Sequence, residues 1–270
     1  MQSLARLESS AAVYPNSIEI HQALADAYLK EERWEEAAKA YRALLALYPT
    51  TALLFVNRIR LGASALALTC ALILLAEIIQ PPLPDAASQP AGFAAAVSAG
   101  GFLAAQLLLM LALPLWSTAA ISIYKLLSYS PDHRPAFWAM VCSVLGVALA
   151  MPGMGINAII LPLIGRLHLD GELPTLSLYL ALQSGPWPFI LRLGSFILLL
   201  GILIFAWVIW RNPLFSKLPV SLFLLGWSIF VVSGNQLPQP ALIIVGLLIA
   251  LGGLPFARSI WQQAALQFES

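Results

Sequence analysis

Charge is scarce in most of this chain. Of its 14 Lys/Arg and 13 Asp/Glu, seven of each fall within the first sixty residues, leaving seven and six for the other 210. Hydrophobic residues make up 60% and charged residues 10%, where about 45–50% and about 25% are usual in soluble domains. An ordinary soluble protein is thereby excluded. The net charge of +1 argues against a nucleic-acid partner, because phosphates are neutralised by clustered Lys and Arg. The two cysteines, Cys70 and Cys142, both sit in apolar runs and point to no disulfide framework and no thiolate-held metal. The three histidines, His21, His133 and His168, lie outside those runs. A haem held between membrane helices and a di-histidine metal motif are therefore not expected. There is no glycine-rich phosphate loop and no nucleophile elbow, so no cofactor and no enzymatic activity are expected. No cationic segment followed by a short apolar run opens the chain; a cleavable signal is not expected, and the polar head is expected in the cytoplasm.

What is present divides into a small polar head, residues 1–57, and a long apolar body, residues 58–270. In the head, Ile20, Ala23, Leu24, Ala27 and Tyr28 recur on one face of a first helix. Trp34, Ala37, Ala38, Tyr41, Leu44 and Leu45 do so on a second, by the i, i+3, i+4 rule. The polar run Lys30–Arg33 between them predicts a helical hairpin. Leu24, Ala25, Tyr28, Ala37, Tyr41 and Pro49 fall on the offsets of the 34-residue tetratricopeptide repeat, which this stretch resembles. Val13-Tyr14-Pro15 and Leu47-Tyr48-Pro49 repeat the same ending, and residues 1–14 would form the second helix of an incomplete preceding repeat. The pattern departs at Ala25, His21 and Leu44, where the family prefers Gly, Trp and Ala. The resemblance implies a protein-binding groove lined, position by position, by Glu19, Gln22, Asp26, Leu29 and Lys30. Stacked repeats ordinarily need about three units to be stable and present a concave surface, so docking of this short array on the body is the other reading.

The body shows six apolar runs near the roughly 20 residues that span a bilayer: 61–79, 101–121, 137–154, 189–209, 219–232 and 241–256. Arg58, Arg60, Lys125, Arg134, Arg211, Lys217 and Arg258 flank one side, and only Arg166 and Arg192 the other. The positive-inside rule then places both termini in the cytoplasm, as expected for a bacterial inner membrane protein. Trp116, Trp138, Trp207, Trp210 and Trp261 read as an aromatic belt on the same side. Gln80–Gly100, rich in Pro, Ala and Gly, is expected to be a flexible loop. The long segment 155–188 should cover the bundle from outside, beginning after a break at Pro152-Gly153; its alternating half, Leu173–Gln183, is too isolated to be assigned as a strand.

The expected fold is all-α, a six-helix transmembrane body joined to a tetratricopeptide-like hairpin. Intramembrane polar groups are functional candidates because they are costly there. Glu77, Gln106, Asn157 and Arg192 would together line a shallow outward pocket beneath 155–188, or else snorkel to the headgroups. The leading functional expectation is a non-enzymatic scaffold, assembly factor or accessory subunit, contacting a protein partner in a membrane complex through the head. The alternative is a small-molecule or lipid binding or transport protein using that pocket. The topology makes a direct prediction. In intact cells a membrane-impermeant maleimide should label Ser88→Cys, and should label Ser130→Cys only after permeabilisation; the reverse pattern inverts the orientation.

Overall fold

The computed structural model describes residues 4–15, 17–31, 33, 35–37, 39–41, 49–128, 130–171, 175–212, 215–233 and 237–269. In the head are α1 (Leu4–Val13), α2 (Ile18–Lys30) and a helical stretch over residues 35–37 and 39–41. The body comprises α3 (Pro49–Ile79), α4 (Pro90–Ser98), α5 (Gly100–Leu127), α6 (His133–Gly155), a π turn (Ile156–Ile160), α7 (Leu161–Leu169) and α8 (Thr175–Ser184). It closes with α9 (Trp187–Arg211), α10 (Lys217–Ser233) and α11 (Gln239–Glu269). Among the described residues there is no strand.

Among the described residues, five stretches are long and apolar enough to cross a membrane: Val56–Ile79, Gly100–Leu127, His133–Leu169, Trp187–Arg211 and Gln239–Ala264. The fifth run of the sequence reading, 219–232, becomes α10, which is apolar but 17 residues long. Six expected spans are thus five long helices and one short one. Neighbouring helices pair into a ring: α6 on α9, α3 on α5 and α11, α11 on α10, α10 on α9, and α5 on α6.

The pairing faces share one rhythm. On α3 the buried residues Val56, Ile59, Ala63, Leu66, Cys70, Ile73, Glu77 and Gln80 follow alternating steps of three and four. So do Phe102, Ala105, Leu109, Ala112, Trp116, Ala119, Ile123 and Leu126 on α5. A repeat averaging 3.5 residues keeps one seam turned toward a partner helix along its whole length. On these seams Ala63, Ala105, Ala112 and Ala119 alternate with larger buried side chains such as Ile59, Leu66, Trp116 and Ile123, while Leu68, Leu75, Leu111, Phe196, Leu200 and Leu251 are exposed. Exposed leucine and phenylalanine suit a chain surrounded by lipid, where helix association falls to packing and polar contacts.

The backbones of α6 and α9 approach closely. A Cβ on Gly194 would lie 2.7 Å from the Ala150 backbone nitrogen and 2.9 Å from the Gly146 carbonyl oxygen. A Cβ on Gly146 would likewise strike the backbone of Leu198 and Gly194. Neither neighbour can move aside, because each is main chain. Between α3 and α5 the links are polar: Thr69 Oγ1 donates to the Ala65 carbonyl at 2.8 Å and approaches that of Ala112 at 3.3 Å. Ser122 Oγ donates to the Arg58 carbonyl at 3.1 Å.

Three sequence expectations change here. Pro152-Gly153 does not end the third helix: α6 runs through both residues and continues via the π turn into α7. Pro162, early in α7, removes one i→i−4 donor, and a wide turn absorbs such a loss without stopping the helix. The 37-residue helical run would extend about 55 Å, well beyond a hydrocarbon core of about 30 Å. Thr175–Ser184 is helical, in keeping with the alternating stretch not being assigned as a strand. Gln80–Gly100 is not a bare loop either: Phe93 and Val97 of α4 are buried with Ala86, Phe102 and Leu161, and Tyr179 of α8 lies 4.9 Å from the Phe93 ring. Trp116 leaves the proposed belt. It is 1% exposed and packs against Phe223 and Trp227 at centroid distances of 5.6 and 6.0 Å.

Replacing Gly194 with Val should lower the thermal midpoint of the detergent-solubilised protein by several degrees, because overpacking a close contact costs about 1–3 kcal/mol or more. Leu200→Val, on an exposed face, should leave it within about one degree.

Candidate functional site

The head is held by a compact core and one polar clasp. Leu7, Leu24, Ala25, Tyr28, Ala37 and Ala40 are buried together, so α1 packs on α2 and the 35–41 stretch adds to the same core. Tyr28 Oη donates to Glu8 Oε1 at 2.8 Å, tying α2 back to α1. Arg33 donates from Nε and Nη2 to Glu36 Oε1 at 3.1 and 2.9 Å. The same guanidinium lies 3.6 Å from Glu8 and 4.8 Å from the Tyr28 ring centroid. Arg33 thus joins the turn, the helix after it and α1. Its hydrogen bonds hold the Glu36 carboxyl below the usual carboxylate range, while burial first and Glu8 second push the Tyr28 phenol up.

Of the residues assigned to a partner groove, Gln22, Asp26 and Lys30 lie exposed along α2 at intervals of four, which places them on one face. Asp26 Oδ1 accepts a hydrogen bond from Tyr41 Oη at 2.7 Å, so this carboxylate is shared with the second helical stretch. The side chains of Glu19 and Leu29 lie outside the described residues.

Of the four polar candidates of the body, Glu77 and Gln106 are buried, both 2% exposed, on the paired helices α3 and α5. Among the described residues Gln106 Oε1 has no hydrogen-bond partner. Asn157 is half-buried in the π turn and Arg192 is exposed at the start of α9. The ion pairs among the described residues are Arg33 with Glu8 and Glu36, and Arg211 with Asp132; Glu77 and Arg192 are not so joined.

Glu77 instead borders a cavity of about 260 Å³ between the end of α3 and the start of α11. Gln80, Pro81, Pro82 and Leu83 line one side, and Leu237, Pro238, Gln239, Pro240 and Leu242 the other. Segment 155–188 contributes none of these residues. Gln239 Nε2 donates to the Gln80 carbonyl at 2.6 Å and closes one edge. Gly246 of α11 stands opposite, where an added Cβ would meet Glu77 Cγ in ordinary contact at 3.5 Å. Gln80 and Gln239 were not singled out from sequence. Gln80 continues the seam rhythm three residues after Glu77, which was a usable signal; Gln239 offered none, standing 159 positions away between two prolines.

At the opposite ends of these helices, cations meet tryptophans. Arg60 lies 5.3 Å from the Trp261 ring, Arg211 4.8 Å from Trp207 and Lys217 5.6 Å from Trp210. These cation–π contacts gather at one end of the bundle the groups that the sequence assigned to one side.

The tetratricopeptide repeat family model matches residues 18–51 of the chain. No curated protein and no solved structure matches it. Repeats of this family mediate protein–protein contact, and the apolar helices are those of a multi-pass membrane protein.

The Glu36 shift sets a pH dependence. A carboxyl whose folded value is depressed contributes stability above its unfolded value, and that contribution disappears as pH falls through the folded one. Amide protection in α2 and residues 35–41, corrected for intrinsic exchange, should hold from neutral pH to about pH 5 and fall below about pH 4. Arg33→Ala should remove most of that acid sensitivity and lower protection at neutral pH.

Proposed function

We propose that this protein is a membrane-embedded scaffold or accessory subunit of a larger membrane complex, and that its repeat-type head recruits a protein partner at the cytoplasmic face of a bacterial inner membrane. One observation carries this reading. The repeat match ends at residue 51, while α3 begins at Pro49 and runs without interruption through the span Val56–Ile79. The last residues of the interaction module are therefore the first residues of a membrane helix. A partner bound to the repeat is thereby brought to the membrane surface.

The exposed side chains of Gln22, Asp26 and Lys30 provide a polar, mixed-charge stripe for partner recognition. The positive-inside distribution of Arg58, Arg60, Lys125, Arg134, Arg211, Lys217 and Arg258 supports a cytoplasmic head. The exposed Leu and Phe of the body leave it free to pack against lipid and against other membrane subunits.

The test is retention in gentle detergent. Full-length protein should co-purify with a defined partner, and removal of residues 1–49 should abolish that partner while the body still folds. Gln22→Ala with Lys30→Glu should reduce the retained amount about tenfold, as expected when on the order of 1.4 kcal/mol of contact is lost. Unchanged retention after the deletion would exclude recruitment through the head.

A further inference from the structure

The cavity beside Glu77 is selective in its chemistry. Its one charged group is a carboxylate that is 2% exposed and has no ion-pair partner among the described residues. Donors are few in the wall. Pro81, Pro82, Pro238 and Pro240 have no N–H, and the Gln80 N–H is committed to the Ala76 carbonyl at 2.9 Å. The start of α11 supplies little more, because the N–H groups of Ala241 and Leu242 both go to the Pro238 carbonyl, at 2.9 and 3.2 Å. Gln239 gives one of its two side-chain N–H groups to the Gln80 carbonyl and keeps the other, together with its side-chain oxygen as an acceptor. The rest of the lining is proline ring and leucine.

A buried carboxylate that is the one charged group in a wall of proline, leucine and two glutamines is complementary to a small organic cation. A divalent metal takes six or more oxygen ligands, and this wall is mostly hydrocarbon. An organic ammonium instead brings three N–H donors and can lay its carbon stem against prolines. The volume of about 260 Å³ lies just under the range of about 300–1,000 Å³ for drug-sized ligands, so a headgroup-sized molecule fits. Glu77 stands two residues before the end of the span Val56–Ile79, and the exposed Pro82, Pro238 and Pro240 form the rim. The mouth therefore lies at headgroup depth.

We propose that this cavity binds a small primary ammonium group, the chemistry shared by an ethanolamine lipid headgroup and a free alkylamine, with Glu77 as its counter-ion. The site is remote in sequence from the head and independent of partner recruitment.

Thermal unfolding of the full-length protein in nanodiscs tests it with two probes. Propylamine added to pure phosphatidylcholine discs should raise the midpoint by at least about 3 °C if free amine enters. A rise seen only when phosphatidylethanolamine replaces part of the phosphatidylcholine assigns the site to the lipid headgroup. Either rise should vanish in Glu77→Gln, which keeps the side chain's shape and removes its charge. Should that variant not fold, Leu237→Trp keeps the carboxylate and fills the cavity, and should abolish the response equally. No response of the wild type to either probe overturns the proposal, as does an undiminished response in the variants. Partner retention by Glu77→Gln should be unchanged, which separates this outcome from that of the recruitment test.

Discussion

Close approach of helix backbones along small-residue seams is the constraint on which the rest of this structure depends. Lipid is as apolar as leucine, so burying leucine between membrane helices yields little, and association falls to packing and interhelical polar contacts. Helix α6 meets that demand with Ala136, Ala139, Ser143, Gly146, Ala150 and Gly153 at steps of three and four, and α9 faces it with Gly194 and Gly201. Where Gly146 faces Gly194 the main chains themselves touch. Many large aliphatic side chains turn outward, to the surface that lipid or further subunits would cover, while Ile59, Leu66, Ile123, Ile202 and Ile249 fill the space between helices.

The same seams decide which polar groups the body can hold. Thr69 and Ser122 sit beside them because a carbonyl of the same or a facing helix accepts their hydroxyls. Glu77 occupies a seam position near the end of α3, beside a proline-lined cavity. Among the described residues its carboxylate has no ion-pair partner. The head follows soluble rules instead: a Leu, Ala and Tyr core with Arg33 clasping Glu8, Glu36 and Tyr28 across three segments.

Much of the architecture was legible before any coordinates. Charge asymmetry marked the head, and apolar length marked the spans, since both are linear properties of the chain. The tetratricopeptide pattern was legible because its offsets are fixed within 34 residues. Less visible was anything set by contact across the sequence. Pro152-Gly153 resembled a helix end, yet a π turn carries the helix past it. Trp116 resembled a belt residue near a helix end, yet Phe223 and Trp227 from a distant helix enclose it. The Gln80–Gly100 stretch lacked a strong local signal because its order comes from packing with Leu161 and Tyr179.

By itself the sequence determined that this is an all-helical membrane protein with a repeat-type head, because burying charge in hydrocarbon and the period of a helix leave their marks residue by residue. Only the tertiary structure decided which polar residues share a site. Glu77 was a candidate from its depth alone, but whether it would meet Arg192, Asn157 or the prolines at the start of α11 depended on which helices became neighbours. The ring of seam contacts placed α11 beside α3 and left Arg192 exposed on α9. Neighbour choice is a property of the packed bundle, and no local pattern encodes it.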